Sequence, residues 1–153
     1  MQGVRDDDPA FSVKITAVPL SDADGRARGF LLIVGGLFLV VFALPLFIAP
    51  FTWAEWFGWD VGPHTDLAAY LGRCLGAVAT AITIVALAAA RDPAAHRWLF
   101  VLLALAGALL SAVHVIGAVR DAQPLSEDLE IAGYAAFAVL ALWCAPRREA
   151  GGG

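Results

Sequence analysis

GFLLIVGGLFLVVFALPLFIA, residues 29–49, is a run of 21 residues without a charged side chain. A helix rises about 1.5 Å per residue, and a hydrocarbon core about 30 Å thick takes roughly 20 apolar residues to cross. In hydrocarbon every backbone amide must find its partner within the segment, so length and apolarity together predict a membrane-spanning helix. Pro45 lies in the last third of the run and is predicted to kink it, because proline removes one backbone hydrogen bond and crowds the preceding turn. Pro50 marks the stop.

Three further apolar runs follow. The second is predicted over residues 67–90, with Thr65 or Asp66 as its N-cap. The third is predicted over 94–119, opened by Asp92 as cap and Pro93 at the first helical position. The fourth is predicted over 126–145, with Glu127 and Asp128 in a first turn where the helix dipole favours negative charge, and Pro146 after it. The connections are short except the first, so successive helices should pack antiparallel. The expected fold is all-α: an integral membrane four-helix bundle, antiparallel and up-down, over residues 29–145. A short interfacial helix follows the first span.

Composition agrees. Of 153 residues, 60% are hydrophobic and 16% charged, with a mean hydropathy of +0.75, against about a quarter charged in ordinary soluble domains. A net charge of −4 with scattered basic residues excludes a nucleic-acid surface. Nine of the ten basic residues are Arg, which together with abundant Ala and Gly suggests a GC-rich bacterial coding bias. The first apolar run follows 28 polar residues and exceeds the 7–15 residues or so of a signal-peptide core, so it reads as an uncleaved span.

Residues 1–28 read as a polar cytoplasmic tail, disordered for most of its length. Phe11, Val13, Ile15 and Ala17 alternate with Ser12, Lys14 and Thr16, the period of a strand with no partner of its own. Ser21-Asp22-Ala23-Asp24 can start a helical turn before the membrane. Residues 146–153 form a second short tail. Basic residues set the orientation of short loops. Arg5, Lys14, Arg26, Arg28, Arg91, Arg97, Arg147 and Arg148 fall on one side of a four-span chain and Arg120 alone on the other, with Arg73 inside the second span. Both termini are therefore expected in the cytoplasm, in a multi-pass protein of the bacterial cytoplasmic membrane.

The segment after the first span carries Trp53, Trp56, Phe57 and Trp59, a match to the aromatic belts that sit at headgroup depth. Within the spans the polar exceptions carry the information. Arg73 lies seven residues beyond Asp66, roughly 10 Å along the helix from its outer end. His114 is about as deep, Glu130 lies near the top of the fourth span, and Tyr134 is one turn below it. Gly72, Gly76 and Thr80 form a stripe that lets another helix approach, with Arg73 at its edge. The expectation is that Arg73 turns inward and pairs with Glu130, with His114 hydrogen-bonded alongside. A long side chain reaching for the headgroups is the alternative. In the third span Ala104, Gly107, Ala108 and Ser111, and in the first Gly35-Gly36, read as packing faces. Cys74 and Cys144 belong to opposite ends of their helices, beyond the reach of a disulfide. No metal-binding motif, phosphate loop or catalytic set appears in the spacing, and no second histidine matches His114 in depth for bis-histidine haem ligation.

The stretch Gly72-Arg73-Cys74-Leu75-Gly76, followed by Arg91-Asp92-Pro93, resembles small four-span bacterial membrane proteins, DoxX-like ones among them. The resemblance covers about the middle half of the chain. It implies a role as a subunit or accessory partner of quinone-linked oxidoreductases, and it carries over no functional residue. Small multidrug transporters use an acidic residue in the first span, and this span has none. The leading expectation is thus a non-enzymatic accessory or scaffold subunit, without cofactor. It would contact lipid, further copies of itself or a larger membrane complex. The second is a lipid- or quinone-binding redox helper using Arg73, His114, Glu130 and Tyr134, and the third a small transporter.

Overall fold

The computed structural model describes residues 22–63 and 65–146, and every regular element among them is a helix. Helix α1 spans Asp22–Ile48 and contains a π-helical turn at Leu39–Ala43. It is followed by α2 (Pro50–Trp56), α3 (Asp66–Ala89), α4 (Arg97–Val119) and α5 (Leu125–Cys144). Three of them, α1, α3 and α4, are long and apolar enough to cross a membrane. Helix α5 stands where the fourth span was expected and has 20 residues, but three carboxylates fall in its first six. Large apolar side chains cover the outside: Ile33 is 72% exposed and Leu75 61%, a surface suited to hydrocarbon rather than water.

Helix α1 begins seven residues before the apolar run, with Asp22 and Asp24 in its first turn. Asp22, Ala23 and Asp24 of the expected helical turn thus belong to the first long helix, which projects past the apolar segment, while Ser21 lies outside the described residues. Residues 22–28 of the tail expected to be disordered are thus helical, while the expected strand at residues 11–17 and the rest of the two tails, 1–21 and 147–153, lie outside the described residues. The effect of Pro45 is specific. An α-helical carbonyl accepts from the residue four positions on, and for Val41 that residue is Pro45, which has no N–H. Here the helix loosens into a π-turn, with Leu44 N–H bonding Leu39 O, and the indole of Trp53 donates to the Val41 carbonyl at 3.1 Å. Phe42, Trp53 and Phe57 cluster beside it at tilted and edge-on angles, with ring centroids 4.8–5.4 Å apart.

Helix α3 is capped by Thr65, whose Oγ1 accepts from Ala68 N–H at 3.2 Å. Its glycines make the seam with α1. A Cβ on Gly72 would stand 2.6 Å from Pro50 Cβ, and one on Gly76 would enter the Leu46–Phe47 backbone. Gly35 of α1 receives Leu87 in return, while Gly36 faces open space. Thr80 and Thr83 satisfy themselves on Gly76 O and Ala79 O, each at 2.7 Å. The α4–α5 seam uses Gly107, which lies against Phe137 and the Tyr134 carbonyl. Ser111 Oγ donates to Ile131 O at 3.1 Å.

Helix α4 starts at Arg97, later than the expected 94. Asp92 does act as a cap, accepting from Ala95 N–H at 3.1 Å, but the turn it closes is separate. That turn ends on His96, whose Nδ1 lies 2.8 Å from the Asp92 carbonyl. One buried cluster draws on four helices: Ala27, Phe30 and Leu31 from the start of α1, Ala86 and Ala89 from the end of α3, Phe100 and Ala104 from the start of α4, Ala141 and Cys144 from the end of α5. The Phe30 ring lies 6.0 Å from Phe100 and 5.8 Å from Phe137. Cys144 is buried here, Cys74 is exposed on α3, and both are free.

Candidate functional site

The polar residues of α4 and α5 meet at the opposite end from that cluster. On α4, Gly107, Ser111 and His114 share one face by their spacing of four and three. On α5, Glu127, Glu130 and Tyr134 do the same. The Gly107 and Ser111 contacts fix the rotation of both helices, so His114 is delivered against the two carboxylates.

Glu127 is the centre of the group and is only 4% exposed. Its Oε1 accepts a hydrogen bond from the Trp59 indole N–H at 2.7 Å, and its Oε2 lies 3.2 Å from His114 Nδ1. That second contact is close but misaligned, so Nδ1 is a buried nitrogen without a hydrogen bond. Glu130 Oε2 is 3.9 Å from His114 Nε2, an electrostatic distance rather than a bond. Tyr134 stacks on the imidazole, centroids 5.1 Å apart and planes 15° from parallel. One imidazole nitrogen and one oxygen of each carboxylate lie within 4.8 Å of one another.

The chain after α2 completes the site. Gly58 has φ +86°, a conformation glycine takes without strain. It turns the aromatic segment so that Ser126 Oγ donates to Phe57 O at 2.6 Å and Trp59 reaches Glu127. Gln123 closes the α4–α5 connection by donating to Asp128 at 2.7 Å. Among the four residues expected as an aromatic belt, Trp56 is 70% exposed, Trp53 and Phe57 fold back on α1, and Trp59 belongs to the polar site.

Of the expected site residues, His114, Glu130 and Tyr134 come together. Arg73 does not. Its side chain is exposed, and the Glu130 carboxylate faces His114 instead. The reason is rotational: Gly72 and Gly76 point at α1, and Arg73 is a 100° step around the helix from Gly72. Two members were missed. Glu127 reads in sequence as a dipole partner and Trp59 as a belt residue. The available signal was the Glu127-x-x-Glu130 spacing, which puts both carboxylates on one face. His96 sits at the other end of α4, and His64 lies outside the described residues.

Chemically the site offers one imidazole and two carboxylates in a largely dry setting. Ser111 and Ser126 both spend their hydroxyls on backbone carbonyls, so neither is an activated nucleophile. No protein family, curated protein or solved structure matches the chain, so the DoxX-like resemblance rests on its two short motifs.

Proposed function

We propose that the chain is a non-enzymatic integral membrane protein, an accessory or scaffold subunit of a bacterial cytoplasmic-membrane assembly. In this reading it crosses the bilayer four times as an antiparallel up-down bundle with both termini cytoplasmic. The shared cluster supports the topology, since it unites the start of α1, the end of α3, the start of α4 and the end of α5. The three acids that set α5 apart all lie at its first turns, where Glu127 meets Trp59, Asp128 meets Gln123 and Glu130 faces His114. Their charges thus need not enter the bilayer centre, where each would cost about 2.5–3.5 kcal/mol on insertion scales. The eight-to-one distribution of flanking basic residues supports the orientation.

The observation that carries the scaffold reading is that the polar groups are turned on one another, Glu127 on Trp59 and His114, and Glu130 on His114. Two open clefts, of about 270 and 280 Å³, lie beside α1 and α2; Trp59 lines the first, and none of His114, Glu127, Glu130 or Tyr134 lines either. The quinone-helper reading loses its cation with Arg73 on the surface. A transporter reading finds almost no polar side chain in the inner halves of the spans, where Thr80 and Thr83 bond their own helix. Extraction in mild detergent followed by blue-native electrophoresis is expected to give a species larger than one chain, or one with a co-purifying protein. A strict monomer without partners overturns the reading. Reporters fused to the two termini are expected to signal from the cytoplasm, and opposite sides would overturn the four-span topology.

A further inference from the structure

Two carboxylates and one imidazole in a nearly dry setting pose a charge problem. Burying an anion without a counter-charge costs several kcal/mol. Among the described residues no Lys or Arg pairs with Glu127 or Glu130, and the imidazole supplies at most one positive charge against two negative ones. The donors also have unspent capacity on the side where they converge. His114 Nδ1 is buried with no hydrogen bond, and Glu127 Oε2 lies 3.2 Å from it without making one. Around a tetrahedral ion with bonds near 2.1 Å, ligand atoms stand about 3.4 Å apart. The imidazole–Glu127 pair already has that separation, and the full triad lies within 4.8 Å.

We propose that His114, Glu127 and Glu130 bind one divalent transition-metal ion of the Zn²⁺ type at the outer end of the α4–α5 pair. Nitrogen and carboxylate donors suit Zn²⁺ and its first-row neighbours. The ion's two positive charges balance the two carboxylates. Trp59 is a positioning residue: by donating to Glu127 Oε1 it leaves Oε2 turned to the ion, as outer hydrogen bonds commonly orient metal ligands. The His114 and Glu130 side chains are 13% and 20% exposed, which gives the ion a way in and leaves a coordination position for water. The inference goes beyond the scaffold reading and does not depend on it, since a monomer binds the ion as well as an assembly does.

The test is titration of the full-length protein, purified in mild detergent and stripped with a chelator, with Zn²⁺ alone by calorimetry. Co²⁺ titration adds a visible absorption band that reports nitrogen and oxygen ligation. One ion per chain is expected. Glu130→Gln and His114→Ala should each abolish the Co²⁺ band, Trp59→Phe should weaken binding about 10–100-fold, and His96→Ala should leave binding unchanged. Thermal melts of each metal-free variant separate a lost ligand from a lost fold. The proposal is overturned if the wild-type chain shows no saturable binding. It is overturned equally if Glu130→Gln, folded by its melt, binds as tightly as wild type.

Discussion

At one end of the molecule the rings of Phe30, Phe100 and Phe137 close over a floor of alanines. At the other, Trp59, Glu127 and His114 meet through one hydrogen bond of 2.7 Å and one contact of 3.2 Å. The first end is held by shape. In lipid, apolar side chains gain little by leaving the surroundings, so the cluster is stable because its pieces fit, with small residues letting backbones close on large rings. The second end is held by direction. A polar atom in a dry setting needs its partner at one distance and angle, and losing the partner costs more than making the bond gained. The two ends divide the work of folding. The apolar end sets which helices meet, and the polar end sets the rotation at which α4 and α5 meet the chain after α2.

The sharpest way to break this comparison is to empty the apolar end. Phe100 is fully buried, and Phe100→Ala is expected to cost about 3 kcal/mol, the low end of the range for deleting a buried aromatic ring, because in lipid the packing and cavity part of that cost remains without the transfer from water. Phe100→Leu, which keeps most of the volume, should cost far less. The measurement is the thermal midpoint of the detergent-solubilised protein. An alanine variant that melts with the wild type would mean that the four helices are not clasped there.

The polar end should respond to single atoms instead. Trp59→Phe keeps an aromatic ring but removes the N–H, leaving Glu127 Oε1 buried without a donor, at a cost of about 1–3 kcal/mol. Glu127→Gln keeps an acceptor for the indole and should cost less than Glu127→Ala. A double-mutant cycle on Trp59 and Glu127 isolates the pair from the rest of the site. Additive losses would show that the indole and the carboxylate do not act together.

The two ends also differ in how far the sequence discloses them. The three helices long and apolar enough to cross a membrane are legible because a run such as residues 29–49 can satisfy its whole backbone within one helix in hydrocarbon. The Gly72–Gly76 and Gly107–Ser111 faces are legible as well, because small residues at four-residue spacing have few other uses in a bilayer. Helix rotation is not, and it decides the site. Glu127 has a sufficient local reason to stand in a first turn, so nothing in its neighbours announces His114 across the seam. Trp59 looks like Trp56 in sequence, yet past Gly58, at φ +86°, the Trp59 indole reaches Glu127 and is 37% exposed, while Trp56 is 70% exposed. The start of α4 misleads for a similar reason: Asp92 caps, as its type suggests, but what it caps is a single turn that His96 ends.

Arg73 sharpens the point about rotation, because it and Gly72 are adjacent in sequence and opposite in expected effect. Helix α3 turns Gly72 against Pro50 with no room for a Cβ, and it leaves Arg73 exposed. Gly72→Leu should therefore disrupt the packing of α3 on Pro50 and Leu46, whereas Arg73→Leu should shift stability by no more than about 0.5 kcal/mol, the range of ordinary surface changes. Had Arg73 been the counter-ion of Glu130, its removal would strand a charge in a low-dielectric setting and rival Trp59→Phe in cost. A near-neutral Arg73→Leu beside a damaging Trp59→Phe would place the indole, and not the guanidinium, among the groups that hold the carboxylates. Equal losses in the two variants would return Arg73 to the bundle interior and undo the rotation assigned to α3.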